Sequence, residues 1–243
     1  MKKKVTKKQI INIDGVDLEI QAKSYSGCYI SILKACKSQV DSMLGFHNKI
    51  FVYRFDIHFS KDASEEYVSN AIKDSEIISN FFRKLRKKLI RGLGLKKIIF
   101  KRMGYIWVRE RHDVSKPHYH CVLILDGNLI RHPKSLTPEL TKIATSLQLF
   151  VSPCPKPYKN IGRKCIDSYI DLMRRLSYLA KERGKERDKD ANKRKVSAND
   201  YSSSRIRPNP NADWQGWSEQ QSKLGKSGVI TKYIEKNKLS QSD

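Results

Sequence analysis

At 243 residues the chain is long enough for one substantial core with extensions, or for two small domains. It carries 49 Lys and Arg against 25 Asp and Glu, a formal charge of +24, so a polyanion is the expected partner. No apolar run approaches bilayer length, and the basic start Met1-Lys2-Lys3-Lys4 is followed by no signal-peptide core, which argues against membrane-spanning and secreted proteins.

Residues 9–20 alternate apolar and polar around Asp14-Gly15, predicting a short hairpin within an N-terminal extension over 1–25. Residues 27–45 set Tyr29, Ile32, Leu33, Cys36, Val40, Met43 and Leu44 at helical spacing. Ile50 to Phe59 alternates and is rich in β-branched and aromatic residues, so it reads as a strand. From Ser64 to Gly92 the period is helical, with a break near Lys73-Asp74-Ser75 and Gly92 and Gly94 ending the run. Ile78, Phe81, Phe82, Leu85 and Leu89 share one face, and Arg83, Lys84, Arg86, Lys87 and Lys88 the opposite one.

Residues 97–111 and 118–126 read as two strands joined by a polar loop, Arg111 to Pro117. Leu136 to Leu147 predicts a helix with Pro138 at a tolerated first-turn position. A short strand over Gln148 to Ser152, the Pro-rich stretch Pro153 to Pro157 and a helix over 164–183 follow. Beyond it the composition turns charged and polar, predicting a basic, largely flexible C-terminal arm over 184–243; Trp214 and Trp217 are candidates for packing it back onto the body.

The order strand, helix, strand, strand, helix, strand over 50–152 predicts an α+β fold of the ferredoxin-like, split βαβ kind. Its antiparallel sheet is expected to carry helices on one face and leave the other open as a ligand platform. Residues 26–183 form the expected functional domain. The five cysteines form no CxxC pair, which suits a reducing cytoplasm better than a disulfide scaffold; Cys121 and Cys165 read as core.

Chemistry concentrates in two places. In His118-Tyr119-His120 the two imidazoles project from one face of a strand, about 7 Å apart at Cα, and can share a metal. Glu110 ends the preceding strand, and an antiparallel pairing brings it opposite the start of the His strand. One carboxylate and two imidazoles suit Mn2+ or Mg2+ acting on a phosphodiester. The second place is the helix over 164–183. At 100° per residue Tyr169 falls among Cys165, Leu172, Met173, Leu176 and Ala180 and reads as core, whereas Tyr178 falls with Asp167, Asp171, Arg174 and Lys181. Tyr178 is therefore the candidate nucleophile, and Lys181, one turn on, the candidate partner for its phenol or for a phosphate.

With these residues in place, the chain resembles the HUH endonucleases, which include rolling-circle replication initiators, conjugative relaxases and single-strand transposases. His118-Tyr119-His120 matches the family's paired-His motif, Glu110 its third ligand, and Tyr178-Leu179-Ala180-Lys181 its nucleophile motif. The order, with Tyr after the His pair, is similar to that of replication initiators, and Pro117-His118-Tyr119-His120 looks most like the inovirus gene 2 type. The resemblance spans roughly residues 26–183 and implies a single-tyrosine mechanism.

It implies an enzyme of a bacterial host cytoplasm that nicks single-stranded or melted origin DNA, with Mg2+ or Mn2+ on His118, His120 and Glu110. Arg83, Lys84, Lys87, Arg91, Arg174 and Arg175 are the expected phosphate contacts, and a host helicase and polymerase the expected partners. Two alternatives stay open: a single-tyrosine transposase of a mobile element, and a non-catalytic single-strand-binding module.

Overall fold

The structure is a computed structural model that describes residues 4–74, 76–94, 96–110, 118–182, 201–214 and 216–217. Near the N-terminus, β1 (Val5–Thr6) pairs with β4 (Cys28–Tyr29), and β2 (Ile10–Ile13) with β3 (Val16–Glu19). The β2–β3 turn holds Asp14 at φ 51° and Gly15 at φ 79°, the left-handed pair that a tight hairpin requires. The Asn12 side chain accepts the Gly15 N–H at 3.2 Å. Ile13, Val16, Leu18 and Ile20 are buried, so the segment before residue 26 belongs to the core and is more than an extension.

The central five-stranded sheet runs β8 (Leu149–Gly162), β5 (Lys49–Phe59), β7 (His118–Asp126), β6 (Gly104–Glu110), β9 (Tyr201–Ser203), all antiparallel. Leaving β9 aside, this is the strand order of the split βαβ arrangement, with the first strand central. The α+β class read from the sequence holds. Its crossover helices, α2 (Glu65–Asp74) with α3 (Glu76–Arg91) and α4 (Thr137–Thr145), lie on one face. There Phe81, Phe82, Leu85 and Leu89 of α3 meet Phe51, Phe55, Trp107 and Tyr119 of the sheet. Gly92 ends α3 at φ 116° while its N–H reaches the Lys88 carbonyl; the expected break near Lys73-Asp74-Ser75 falls on a residue outside those described.

The opposite face is not open, which corrects the expected ligand platform. The helices α1 (Ile30–Phe46) and α5 (Ile166–Leu176) cover most of it, continued by a 3-10 turn at Ser177–Ala180. Ile32, Leu33, Cys36, Val40 and Met43 of α1 and Tyr169, Leu172, Met173 and Leu176 of α5 form a second core with Ile50, Val52, Ile106, Val122 and Ile124. Alternate residues of the same strands thus supply both cores, because the pleat sends them to opposite sides. Burial of each large apolar side chain contributes about 1.5–3 kcal/mol, so neither layer is dispensable.

Three further boundaries differ from the sequence reading. Strand β6 starts at Gly104, since residues 96–103 turn back to pair Leu93 with Ile98 and reach the sheet only afterwards. Strand β8 continues through the Pro-rich stretch to Gly162, which an edge strand tolerates because one side of it needs no ladder donors. A bulge between Tyr53 and Phe55 in its pairing with β5 absorbs the irregularity. Residues 201–217 are not a flexible arm where they are described: β9 extends the sheet, and Trp214 and Trp217 are buried in the second core. Cys121 is buried as expected, but Cys165 is exposed at the start of α5. The expected Arg111–Pro117 loop lies outside the described residues, as do 183–200 and 218–243.

Candidate metal centre

The antiparallel register sets Glu110 of β6 opposite His118 of β7, and Asp56 of β5 opposite His120. All four point to the α1/α5 side of the sheet, continuing the face that carries Val108, Val122 and Ile106. At this end the covering helices give way, and polar side chains replace apolar ones.

The three expected ligands come together. Glu110 Oε2 lies 2.5 Å from His120 Nε2 and 3.2 Å from His118 Nε2, and one donor atom from each residue falls within 4.8 Å of the others. Glu110 is 8% and His120 3% exposed, while His118 is half-buried at the rim. A carboxylate this close to two ring nitrogens in a buried site needs a shared cation, either a proton or a metal. The donor set of two imidazole nitrogens and one carboxylate oxygen fits a divalent ion with positions left open.

Strand β5, which the sequence marks only as a strand, adds further residues to the site. The other nitrogen of His120, Nδ1, donates to Asp56 Oδ1 at 2.7 Å. Burial works to lower the His120 pKa, but the hydrogen bonds to Asp56 and Glu110 outweigh it and raise it. Burial would likewise raise Asp56, yet its hydrogen bond to His120 and the nearby charges of His120 and Arg54 hold its carboxyl below the usual range. The ring of His58 stacks on His118 with centroids 5.1 Å apart, and its Nε2 meets the Ser152 hydroxyl at 3.1 Å. Burial, reinforced by the charge of His118, lowers its pKa.

Tyr178 joins this group from the 3-10 turn, its ring 5.4 Å from that of His120 and nearly perpendicular to it. Because α5 ends at Leu176, the tightened turn that follows delivers Tyr178 to the site, not a continuous helix. The Arg54 guanidinium lies 4.2 Å from the centroid of the Tyr178 ring, and its Nε has no hydrogen-bond partner among the described residues. Lys181 Nζ sits 4.7 Å from the same ring; burial and then the charge of Lys23 lower its pKa. Tyr169 is fully buried and donates its hydroxyl to Asp41 Oδ1 at 2.7 Å, a core role that agrees with the helical wheel.

The expected phosphate contacts are not brought together. Arg83, Lys84, Lys87 and Arg91 are exposed on α3, across the sheet from Glu110, His118 and His120. Arg83 bonds Asn80 and Lys84 reaches the Ser146 hydroxyl. Arg174 and Arg175 share the metal-centre layer, paired at 3.0 Å with Glu19 and Asp171 respectively.

The fold and site thus define an α+β domain with a candidate divalent-metal centre on its antiparallel sheet. The profile of the YagK/YfjJ C-terminal domain matches residues 15–148, more than half of the chain, and the chain belongs to that family. The match includes Arg54, Asp56, Glu110, His118 and His120 and stops short of Tyr178. No curated protein matches the chain. Among the described residues no helix is long and apolar enough to cross a membrane.

Proposed function

We propose that this chain is an HUH-type replication initiator of the inovirus gene 2 type, which nicks single-stranded or melted origin DNA of a phage-like or plasmid element. The observation that supports the reading is the approach of Tyr178 to His120, 5.4 Å between rings, beside a carboxylate and two imidazoles. A nucleophile and a phosphate-polarising centre need that proximity, and a merely structural tyrosine does not.

Glu110, His118 and His120 would hold the divalent ion, Mg2+ or Mn2+, which when bound withdraws charge from a phosphate oxygen. Asp56 keeps the Nδ1 proton of His120 in place and leaves Nε2 free to ligate. The Tyr178 hydroxyl oxygen attacks phosphorus and loses its proton to solvent; the bond to the 3′-oxygen breaks and that oxygen takes up a proton. The products are a 5′-phosphotyrosyl adduct and a 3′-OH that a host polymerase can extend behind a host helicase. Arg54 and Lys181 supply positive charge where the phosphoryl group passes. Attack by a later 3′-OH on the adduct reseals DNA without ATP, since the phosphodiester energy is conserved.

The test is adduct formation on end-labelled single-stranded DNA from the origin of the replicon, with Mn2+, resolved on a denaturing gel. The wild type should give a covalent band that Tyr178→Phe loses while still binding DNA. A band that persists in Tyr178→Phe refutes the assignment. DNA binding without an adduct in the wild type would leave a non-catalytic binding module.

A further inference from the structure

One row of side chains crosses the sheet from its edge to the metal centre. Phe150 of β8 pairs with His58 of β5, His58 stacks on His118 of β7, and His118 pairs with Glu110 of β6. The Phe150 and His58 rings are 4.9 Å apart and 15° from parallel; His58 and His118 are 5.1 Å apart and 17° from parallel. The Ser152 hydroxyl fixes the middle ring through Nε2 of His58. The outermost member, Phe150, is 45% exposed on an edge strand.

A parallel stack whose inner end supplies metal donors and whose outer end is open to solvent is unfinished. Another flat ring laid on Phe150 would continue it. A charge of +24 selects a polyanion as the partner. The flat, uncharged part of a single-stranded polyanion is its base, and aromatic side chains stack on any base. We propose that Phe150, backed by His58, seats a nucleobase of the strand whose phosphate lies at Glu110, His118 and His120. The inference rests on the nicking function above and adds the element that aligns the strand there. Through the stack, the base would set where the neighbouring phosphate falls relative to the ligands. Sequence preference at that position would be weak, because stacking reads the face of a base and not its edge.

The probe is a 20-nucleotide oligo-dT carrying one central 2-aminopurine, whose fluorescence is quenched by stacking. It is titrated with the full chain, with Mn2+, in a Tyr178→Phe background so that no covalent step contributes. Quenching should accompany binding, and adding Phe150→Ala should remove it and weaken binding about tenfold, the scale of one base–aromatic stack. Phe150→Trp should restore both. Thermal melting should be little changed by Phe150→Ala, since the ring is half exposed. Wild-type-like binding and quenching in Phe150→Ala would overturn the proposal, as would a failure of the parent to quench. If Phe150 proves dispensable while Tyr178 still forms the adduct, the stacking site alone fails. If stacking depends on Phe150 but no adduct forms on origin DNA, the nicking function alone fails.

Discussion

Asp56 Oδ1 lies 2.7 Å from His120 Nδ1, on the ring nitrogen that does not face Glu110. A carboxylate behind a metal-binding imidazole fixes its tautomer and makes it a better donor, and loss of such a partner typically costs about 10–100-fold in metal affinity. Asp56→Asn should therefore weaken Mn2+ binding by about that factor, measured by calorimetry, with the fold retained by circular dichroism. His120→Ala should abolish binding at the same site. Unchanged Mn2+ affinity in Asp56→Asn would mean that the pair serves only the fold.

The two tyrosines of the C-terminal helical segment should separate cleanly. Tyr169→Phe removes a buried hydroxyl that donates to Asp41, a carboxylate already paired with Lys37 at 2.6 Å. It should destabilise the protein by about 1.5–3 kcal/mol in urea melts, as expected for a hydrogen bond to a charged group, and leave adduct formation intact. Tyr178→Phe should do the reverse, with near-native stability and no adduct. Inactivation by Tyr169→Phe in protein that melts normally would count against the distinction.

The candidate metal ligands were legible because their geometry is local. His118 and His120 share a strand face by alternation alone, and only seven residues separate Glu110 from His118. Asp56, His58 and Arg54 were not legible: they reach the site through a register joining residues more than 60 positions apart, and no local pattern encodes that pairing. The covered second face was missed for a related reason. The α1 helix and the β2–β3 hairpin precede the sheet in sequence, and nothing local says which face they will close. The helical wheel that singles out Tyr178 does not hold to the end of the segment, because the helix tightens at Ser177. The wheel still served, since Tyr169 lies within the regular part and its burial follows from the stripe.

Trp217 tests how far the C-terminal segment belongs to the core. It is 2% exposed and packs against Tyr169 and Trp214, at 5.9 and 6.5 Å between ring centroids. Trp217→Ala should destabilise by about 3–5 kcal/mol, the range for a large aromatic removed from a packed site. Its indole nitrogen has no hydrogen-bond partner among the described residues, so Trp217→Phe should retain most of that stability. Near-wild-type urea midpoints for Trp217→Ala would show the segment to be detachable.

Arg54 is the sharpest test of how the site handles developing charge. Its guanidinium lies over the Tyr178 ring and its Nε is buried without a partner among the described residues, an arrangement that costs stability unless a ligand completes it. A phosphate between Tyr178 and the metal ligands would supply the acceptor. Arg54→Gln keeps a polar group at the position of the Arg54 Nε but removes the charged end of the side chain. It should slow single-turnover adduct formation by about 100-fold or more, as loss of one transition-state charge stabiliser does. Affinity for Mn2+ should change little, because Arg54 neither ligates the ion nor backs a ligand as Asp56 does, and affinity for oligo-dT should fall far less than the rate. A proportional loss of DNA affinity and rate would instead make Arg54 a simple phosphate anchor, engaged equally before and during the reaction.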